Sequence, residues 1–483
     1  MSNSLKNLLT EFKHIEQNSV NVKKGSIFLA YPGDKDDGRN YIGEAIKKGA
    51  GAIIYDPLGF KWNNEWDLPK LPVKNLKDNI SNIASEFFNN PSQKINLIGV
   101  TGTNGKTSSV YWITESLKHL KRRAAMIGTI GYGFIGKLEP TTNTTPDALK
   151  IQSIINNFRI DLVQDVCIEV SSHGIKQGRV SGVNFDVRLF TNLSRDHLDY
   201  HGSIENYANI KKDFLLGAKT GNLVINIDDP LGKKIFQESK LDTSQKISFG
   251  IDSPCSLKAN NLVIANKRTK FDLTYRDKTF EVIASVVGRH NVYNILGVVG
   301  VLISLGYQIE NIRPILKILN QVPGRAEVLE IGLEKCPKVI IDFAHTPDAL
   351  KNILNSLKLS KHKNLKIVFG CGGDRDRGKR KEMAAVVNKY ADFVIVTSDN
   401  PRNEDPNRII DDICQNITIP NLVIEDREEA IKEVLRESDI DDLILIAGKG
   451  HEVYQEIKGV RKDFSDKLIA KKYLTRYFGA QKN

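Results

Sequence analysis

Cysteine is scarce and unpatterned in this sequence. Cys167, Cys255, Cys336, Cys371 and Cys414 are odd in number, widely separated and form no Cys-x-x-Cys pair. That excludes a disulfide framework and a structural zinc site, and leaves reduced thiols. Long apolar runs are missing as well. The longest, residues 292–306, falls short of the roughly 20 residues that a membrane span needs. Residues 1–24 are polar and charged with no apolar signal core, so a cytoplasmic protein without membrane insertion is expected. No short-period repeat, zinc-finger spacing, RNA-recognition pattern or basic zipper occurs, and the basic residues are dispersed; nucleic acid is therefore not the expected partner.

What is present describes an ordinary globular chain. Lys plus Arg number 69 against 58 Asp plus Glu, a net charge of +11, which suits small phosphorylated substrates. A length of 483 residues exceeds one hydrophobic core and, at about 100 to 200 residues per domain, favours two to four domains. Three fit the pattern, at 1–92, 93–328 and 329–483. Strands are predicted at 26–31 and 52–55 around a short helix at 41–48, and the break Asn89-Asn90-Pro91-Ser92 ends that unit. Strands at 95–100, 124–127, 163–170, 187–191 and 223–227 alternate with helices, as in a parallel sheet covered on both faces. Residues 258–287 read as richer in β-structure, and 291–305 as a helix apolar on most sides and therefore buried. Strands at 339–342, 365–369, 393–397, 422–425 and 443–447, again alternating with helices, read as an open doubly wound sheet.

The run Gly99-Val-Thr-Gly102-Thr-Asn-Gly105-Lys106-Thr107 joins a buried-type strand to a helix that carries Val110, Ile113, Leu117 and Leu120 at helical spacing. Such a loop converges backbone N–H groups on phosphate, Lys106 neutralises charge between the β- and γ-phosphates, and Thr107 ligates Mg²⁺. An ordinary strand-to-helix turn explains the glycines but not the adjacent Lys-Thr. The usual G-x-x-x-x-G-K-T spacing would need glycine at position 100, where Val100 stands. Glu169 ends the next buried strand, where parallel sheets bind ligands, and is placed to hold Mg²⁺ directly or through a neighbour. For His197, in Thr191-Asn-Leu-Ser-Arg-Asp-His-Leu-Asp-Tyr-His201, an ordinary surface or core histidine and a metal ligand both remain open.

Six segments in order resemble the Mur ligase family over nearly the whole chain: Gly102-Thr-Asn-Gly-Lys-Thr107, Glu169-Val-Ser-Ser-His-Gly174, Asn192-Leu-Ser-Arg-Asp-His-Leu-Asp199, Gly288-Arg-His-Asn291, Pro323-Gly-Arg325 and Asp342-Phe-Ala-His-Thr-Pro-Asp348. The resemblance implies an α/β protein of three domains. An N-terminal domain binds the UDP-substrate, a central P-loop-type parallel-sheet ATPase domain carries a β-rich extension, and a C-terminal Rossmann-like domain closes over the site and brings an amino acid. It implies a monomer that takes ATP, Mg²⁺ and UDP-N-acetylmuramoyl-L-Ala-D-Glu. ATP contacts are implied for Gly102, Thr103, Asn104, Gly105, Lys106, Thr107, Ser108, Asn291, Arg325 and Asp342. Contacts to the UDP-muramoyl-peptide are implied for Asn143, Thr144, Thr145, Ser171, Gln177, Arg179 and Lys211. Ser19 joins them, although Asn18-Ser19-Val20 stands where family members carry Asp-Ser-Arg. Lys211, otherwise a solvated lysine beside Lys212, is implied to be carbamylated and to bridge to a second Mg²⁺ held by His197. Lys106, Lys211, Glu169 and His197 are then the catalytic set, and Thr107, Glu169, His197 and the Lys211 carbamate the metal ligands.

Asp399-Asn-Pro-Arg402 and Gly448-Lys-Gly-His-Glu452 resemble the amino-acid pocket of family members that add meso-diaminopimelate. Asp399, Asn400, Pro401, Arg402, Gly448 and Glu452, with Arg375, would line that pocket. A guanidinium grips a carboxylate through two parallel hydrogen bonds, so Arg402 is the candidate for the distal carboxylate, which lysine lacks, while Asn400 and Glu452 take the neighbouring ammonium. The expected reaction is ATP-dependent amide formation through an acyl phosphate in peptidoglycan precursor synthesis. The alternatives are a lysine-adding relative, a folylpolyglutamate-type synthase and a switch that hydrolyses ATP without forming an amide.

Overall fold

The computed structural model describes residues 3–33, 36–217, 221–264, 268–333, 335–358 and 360–479. They form two compact units, one of residues 1–101 and 117–188, the other of residues 102–116 and 189–483.

In the first unit a four-stranded parallel sheet runs His14–Glu16, Ser26–Ala30, Ala50–Tyr55, Lys70–Pro72. Ser26–Ala30 is buried at every position, which is why it reads as continuous Ile-Phe-Leu without polar alternation. The helix Leu76–Phe87 lays Leu76, Ile80, Ile83 and Ala84 into the core that Ile27, Leu29, Ala52 and Ile54 build. The same unit holds the parallel strands Asn96–Thr101, Asp165–Glu169 and Ala124–Gly128, continued by the antiparallel strands Gly131–Phe134 and Lys137–Glu139.

The second unit carries the strands Asn222–Asn226, Lys246–Gly250 and Leu257–Ile264 in parallel, extended antiparallel by Thr269–Tyr275 and Lys278–Ala284. That antiparallel pair is the β-rich stretch read from residues 258–287. Helix Arg289–Ser304 covers this sheet with eleven buried residues from Asn291 to Leu302. Farther along, Lys338–Asp342, Leu443–Ala447, Leu365–Phe369, Phe393–Val396 and Asn421–Val423 run parallel, and Glu327–Val328 pairs antiparallel at the edge. Helices Pro347–Lys358, Gly378–Tyr390 and Pro406–Cys414 pack on one face and Arg427–Arg436 and Asp466–Phe478 on the other, each burying a separate apolar cluster. This is the doubly wound arrangement, and it puts Asp342, Asp399 and Gly448 at or just past the carboxyl ends of strands in one sheet. Among the described residues no helix is long and apolar enough to cross a membrane.

Candidate functional site

The phosphate loop is shaped by what a side chain would strike. A Cβ at Gly102 (φ +151°) would lie 1.9 Å from Thr191 Oγ1, and one at Gly105 (φ +86°) 2.2 Å from Asn294 Oδ1. Only glycine fits either place. The loop is tied to residues 191–194: Thr191 Oγ1 and Asn192 Nδ2 donate to Asn104 O at 2.7 and 3.0 Å, and Asn104 N donates to Asn192 Oδ1 at 3.1 Å. Ser194 N donates to Thr103 Oγ1 at 3.0 Å. Lys106, which opens the helix Lys106–His119, turns its ammonium back onto Gly102 O and Thr103 O at 2.9 and 2.8 Å. These carbonyls hold the charge that a phosphate would otherwise attract.

Lys211, on the helix Ile204–Leu216, is 0 % exposed. Its ammonium donates to Gly102 O at 3.0 Å and lies 4.5 Å from the centre of the Tyr207 ring. Burial, reinforced by the Lys106 charge and only partly opposed by Asp196 and Asp229, holds its pKa far below that of an ordinary lysine. Tyr207 meets Thr103 Oγ1 at 3.1 Å, and burial pushes its phenol well up. His197 sits in the left-handed region (φ 54°) and reaches Asp196 Oδ2 with Nε2 at 3.2 Å. Burial works against the Asp196 carboxylate, but His197, His345, Lys379 and the His197 N–H outweigh it and bring its pKa down to about 2.

Residues from the far half of the chain approach the loop. Arg325 Nη2 donates to Thr107 Oγ1 at 3.0 Å while its guanidinium covers the Phe343 ring at 4.2 Å. Asp342 accepts from Ala326 N and Ala344 N at 2.6 and 2.7 Å; burial raises its pKa against those two N–H groups and Arg325. Asn104 Nδ2 donates to Asp348 Oδ2 at 2.8 Å, and Asn294 Nδ2 to Asn291 Oδ1 at 3.1 Å. Ser108 is buried on the loop's helix.

Within the first unit a second group gathers. Glu169, 0 % exposed, accepts from Thr129 N at 2.8 Å and from Thr129 Oγ1 at 3.0 Å, and that hydroxyl also reaches Thr144 Oγ1 at 3.0 Å. Thr145 Oγ1 contacts Glu169 O and Ser171 Oγ at 2.7 and 2.9 Å. Arg179 donates to Thr145 O at 2.5 Å and to Gln177 Oε1 at 2.9 Å. Thr144, Thr145, Ser171, Gln177 and Arg179 thus form one network with Glu169. Asn143 lies in the exposed turn just before Thr144. Ser19 is apart from this network and donates to Glu44 Oε2 at 3.0 Å.

The Asp399–Arg402 and Gly448–Glu452 loops meet in the second unit. Asn400 Nδ2 donates to Glu452 Oε2 at 2.9 Å, and buried Lys449 Nζ donates to Asn400 Oδ1 at 2.9 Å. Gly448, at φ +118°, leaves room for Asp399, whose Oδ2 would lie 2.5 Å from a Cβ there. Arg402 Nη1 donates to Gly373 O at 2.8 Å, and Arg375 Nη1 to Asp374 O at 3.0 Å. Desolvation, then repulsion from Arg402, lowers the Arg375 pKa. Among the described residues neither guanidinium has a carboxylate within ion-pair distance; Pro401, inside the Asp399–Arg402 loop, is buried. Sequence reasoning assigned no role to Asp196, Tyr207, Asn294, His345, Asp348 or Lys449. Most of these stand inside or beside the quoted motifs, so proximity to a motif was the available signal.

The glycine loop between a parallel strand and a helix, met by a doubly wound sheet whose strand ends carry charged loops, defines a phosphate-loop α/β protein with a Rossmann-like partner domain. The comparisons make the class specific. Residues 11–88, 100–302 and 324–450 match, in turn, the Mur ligase family catalytic domain, the Mur ligase middle domain and the Mur ligase glutamate ligase domain. The chain is 40% identical over 474 residues to the UDP-N-acetylmuramoyl-L-alanyl-D-glutamate–2,6-diaminopimelate ligase of Pseudomonas putida, covering 96% of this chain and 95% of that one. It is 39% identical over 477 residues to the ligase of the same name from Coxiella burnetii, covering 96% and 95%. A solved structure of a ligase so named superposes with a TM-score of 0.68 at 32% identity, over 96% of this chain and 95% of the other. A MurF ligase from Thermotoga maritima in complex with ADP shares the fold, with a TM-score of 0.70 at 20% identity over the full length of both. The chain belongs to the Mur ligase family and is a ligase.

Proposed function

We propose that this protein adds meso-diaminopimelate to the γ-carboxylate of D-Glu in UDP-N-acetylmuramoyl-L-Ala-D-Glu, with ATP converted to ADP and phosphate, as a step of peptidoglycan precursor synthesis in the cytoplasm. The observation that carries this reading is the pair Arg375 and Arg402, two guanidiniums without a carboxylate partner beside Asn400 and Glu452. A zwitterionic end group supplies the missing anion to the arginines through its carboxylate and offers its ammonium to Glu452, whose Oε2 already meets Lys449 at 3.1 Å. Lysine offers no distal carboxylate and would leave Arg402 unsatisfied, a penalty that at polar sites gives discrimination of about 10⁴. The names of relatives about 40% identical over nearly the whole chain agree with it.

A carboxylate does not yield to an amine, because oxide would have to leave. The D-Glu oxygen therefore attacks the γ-phosphorus of ATP, ADP departs, and the acyl phosphate forms. The free amine then attacks the acyl carbon, the C–O bond to phosphate breaks, phosphate leaves with the electron pair, the nitrogen loses a proton, and the amide remains. Lys106, released from its own loop carbonyls, neutralises the phosphates, while the loop N–H groups and Arg325 hold them in line. Asn291 and Asp342 complete the ATP site, and Thr144, Thr145, Ser171, Gln177 and Arg179, with Ser19 and Asn143, serve the UDP-muramoyl-peptide. Residues 1–92 carry the uridine end, 93–328 the phosphate chemistry and 329–483 the amino acid.

No three His, Cys, Asp or Glu side chains gather as a metal cage among the described residues. The Thr107 hydroxyl and the Glu169 carboxylate are oxygen donors of the kind Mg²⁺ takes, and phosphate and water would fill out its octahedron. Thr107, Glu169, His197 and a carbamate on Lys211 would hold two such ions, the second at His197, and these would supply neutralisation of charge on the transferring phosphoryl group. The depressed pKa of Lys211 supports the carbamate, since only a neutral amine adds CO₂.

The test is phosphate release with UDP-N-acetylmuramoyl-L-Ala-D-Glu and either amino acid, with hydroxylamine as a trap. Release dependent on meso-diaminopimelate, with an amide product and a trapped hydroxamate, is expected. Equal turnover with lysine would remove the specificity, and phosphate release without amide would make the protein a switch.

A further inference from the structure

Lys449 is 0 % exposed, and the reading above gives it no role. Its ammonium donates to Asn400 Oδ1 at 2.9 Å and to Glu452 Oε2 at 3.1 Å, and it faces the rings of Tyr454 and Phe464 at 5.6 and 6.0 Å. Asn400 Oδ1 also accepts Glu456 N at 2.9 Å. An ammonium and a backbone N–H can only donate, so both fix the amide oxygen on their side. The amide nitrogen must then face Glu452 Oε2, where it lies at 2.9 Å. With Oε2 taken by two donors, Oε1 has no partner among the described residues and is the oxygen left for a ligand.

We propose that Lys449 is the positioning residue of the amino-acid pocket, locking the Asn400 amide and the Glu452 carboxylate into one arrangement that receives the ammonium group of the incoming amino acid. The inference rests on the function proposed above and deepens it. The groups facing Glu452 are Lys449 on its own loop, Asp399 after Phe393–Val396, Arg427 from Arg427–Arg436 and Tyr454 from the following hairpin. Burial raises the Glu452 pKa and Asp399 adds to this, while Lys449 is the largest opposing charge and Asn400 helps it. Without Lys449 the carboxyl loses the largest charge that opposes its burial and its pKa rises further, so the anion that accepts an ammonium partner is less favoured and more sensitive to falling pH.

The experiment uses the full chain and varies meso-diaminopimelate, ATP and UDP-N-acetylmuramoyl-L-Ala-D-Glu in turn, the other two saturating, over a range of pH. Lys449→Gln keeps an amide N–H for Asn400 but removes the charge. Its KM for the amino acid should climb by up to about tenfold per pH unit as pH falls below the raised Glu452 pKa, while KM for ATP and the apparent Tm stay near the parent values. Lys449→Arg keeps the charge, displaced, and should raise the same KM severalfold without pH dependence. An amino-acid KM for Lys449→Gln that does not change with pH overturns the inference. So does a common rise in all three KM values with a fall in Tm, the mark of a merely structural lysine. Should Lys449→Gln fail to fold, an unchanged KM in Lys449→Arg overturns it alone. An inactive parent protein with meso-diaminopimelate would instead sink the proposed function.

Discussion

Lys211 has the ammonium of a surface lysine and the surroundings of a core residue. It meets Gly102 O and the Tyr207 ring, but Asp196 and Asp229 offset only part of the desolvation, and Lys106 adds repulsion. The neutral amine is favoured, and its conversion to a carbamate would place an anion close to Lys106. Lys211→Ala should therefore lose ligation by a factor of about 10² or more, as removal of a charge-stabilising group does, and short carboxylic acids should restore part of it. Phosphate release measured with and without added acetate or formate checks this, and full activity in the alanine variant would remove the carbamate from the mechanism. At this scale the sequence was legible where chemistry is written contiguously: Gly102 to Thr107, Asp399 to Arg402 and Gly448 to Glu452. It was not legible where one side chain acts through distant ones. Lys449 lies in a quoted motif, yet nothing in the string says that its ammonium meets Asn400, and the Asp196–His345 approach spans 149 positions. The burial that separates Lys211 from its neighbour Lys212 is likewise a tertiary fact.

Elements are bounded by simpler rules. The strands of both parallel sheets begin and end near the predicted positions because runs such as Leu-Ile-Leu-Ile-Ala and Val-Ile-Ile-Asp are buried on both faces and stop at charged or glycine-bearing loops. The short strands Gly131–Phe134 and Lys137–Glu139 were not anticipated, since Gly131, Gly133 and Gly136 argue for loop and only pairing with Ala124–Gly128 overrides them. The hairpin Tyr454–Ile457 with Val460–Asp463 escaped for a related reason, its exposed face being too polar to alternate visibly. The helix Arg289–Ser304 was legible as buried, but not how closely it packs. At Gly300 a Cβ would stand 2.6 Å from Val224 Cγ1 of the strand beneath. Gly300→Val should therefore push helix and strand apart and cost about 1–3 kcal/mol, the usual penalty of overpacking. Urea unfolding of the variant against the parent protein measures it, and an unchanged midpoint would show that Val224 can yield.

For the whole molecule, the contacts that matter join residues far apart in the chain. In the second unit Thr107 meets Arg325, Asn104 meets Asp348, and Arg195 meets Asp376 at 2.9 Å and Glu382 at 2.8 Å. The first two need partners that the proposed chemistry also uses, since Thr107 and Asn104 lie in the phosphate loop. Arg195 is different: it stands two positions from His197, is 42% exposed, and holds two carboxylates of the doubly wound sheet's side without touching the loop. Exposed pairs contribute about 0–1 kcal/mol each, too little to decide folding but enough to shift a balance between open and closed forms about fivefold. Arg195→Ala should thus leave the apparent Tm nearly unchanged and lower kcat/KM for the amino acid about two- to fivefold. Raising salt should reproduce much of that loss in the parent protein, because exposed charges are screened, and should do little further harm to the variant. Asp376→Asn combined with Arg195→Ala should lose less than the two single changes added together, since both remove the same contact. Strict additivity, or a parent protein indifferent to salt, would mean that these carboxylates and Arg195 do not act as a clasp on the working arrangement.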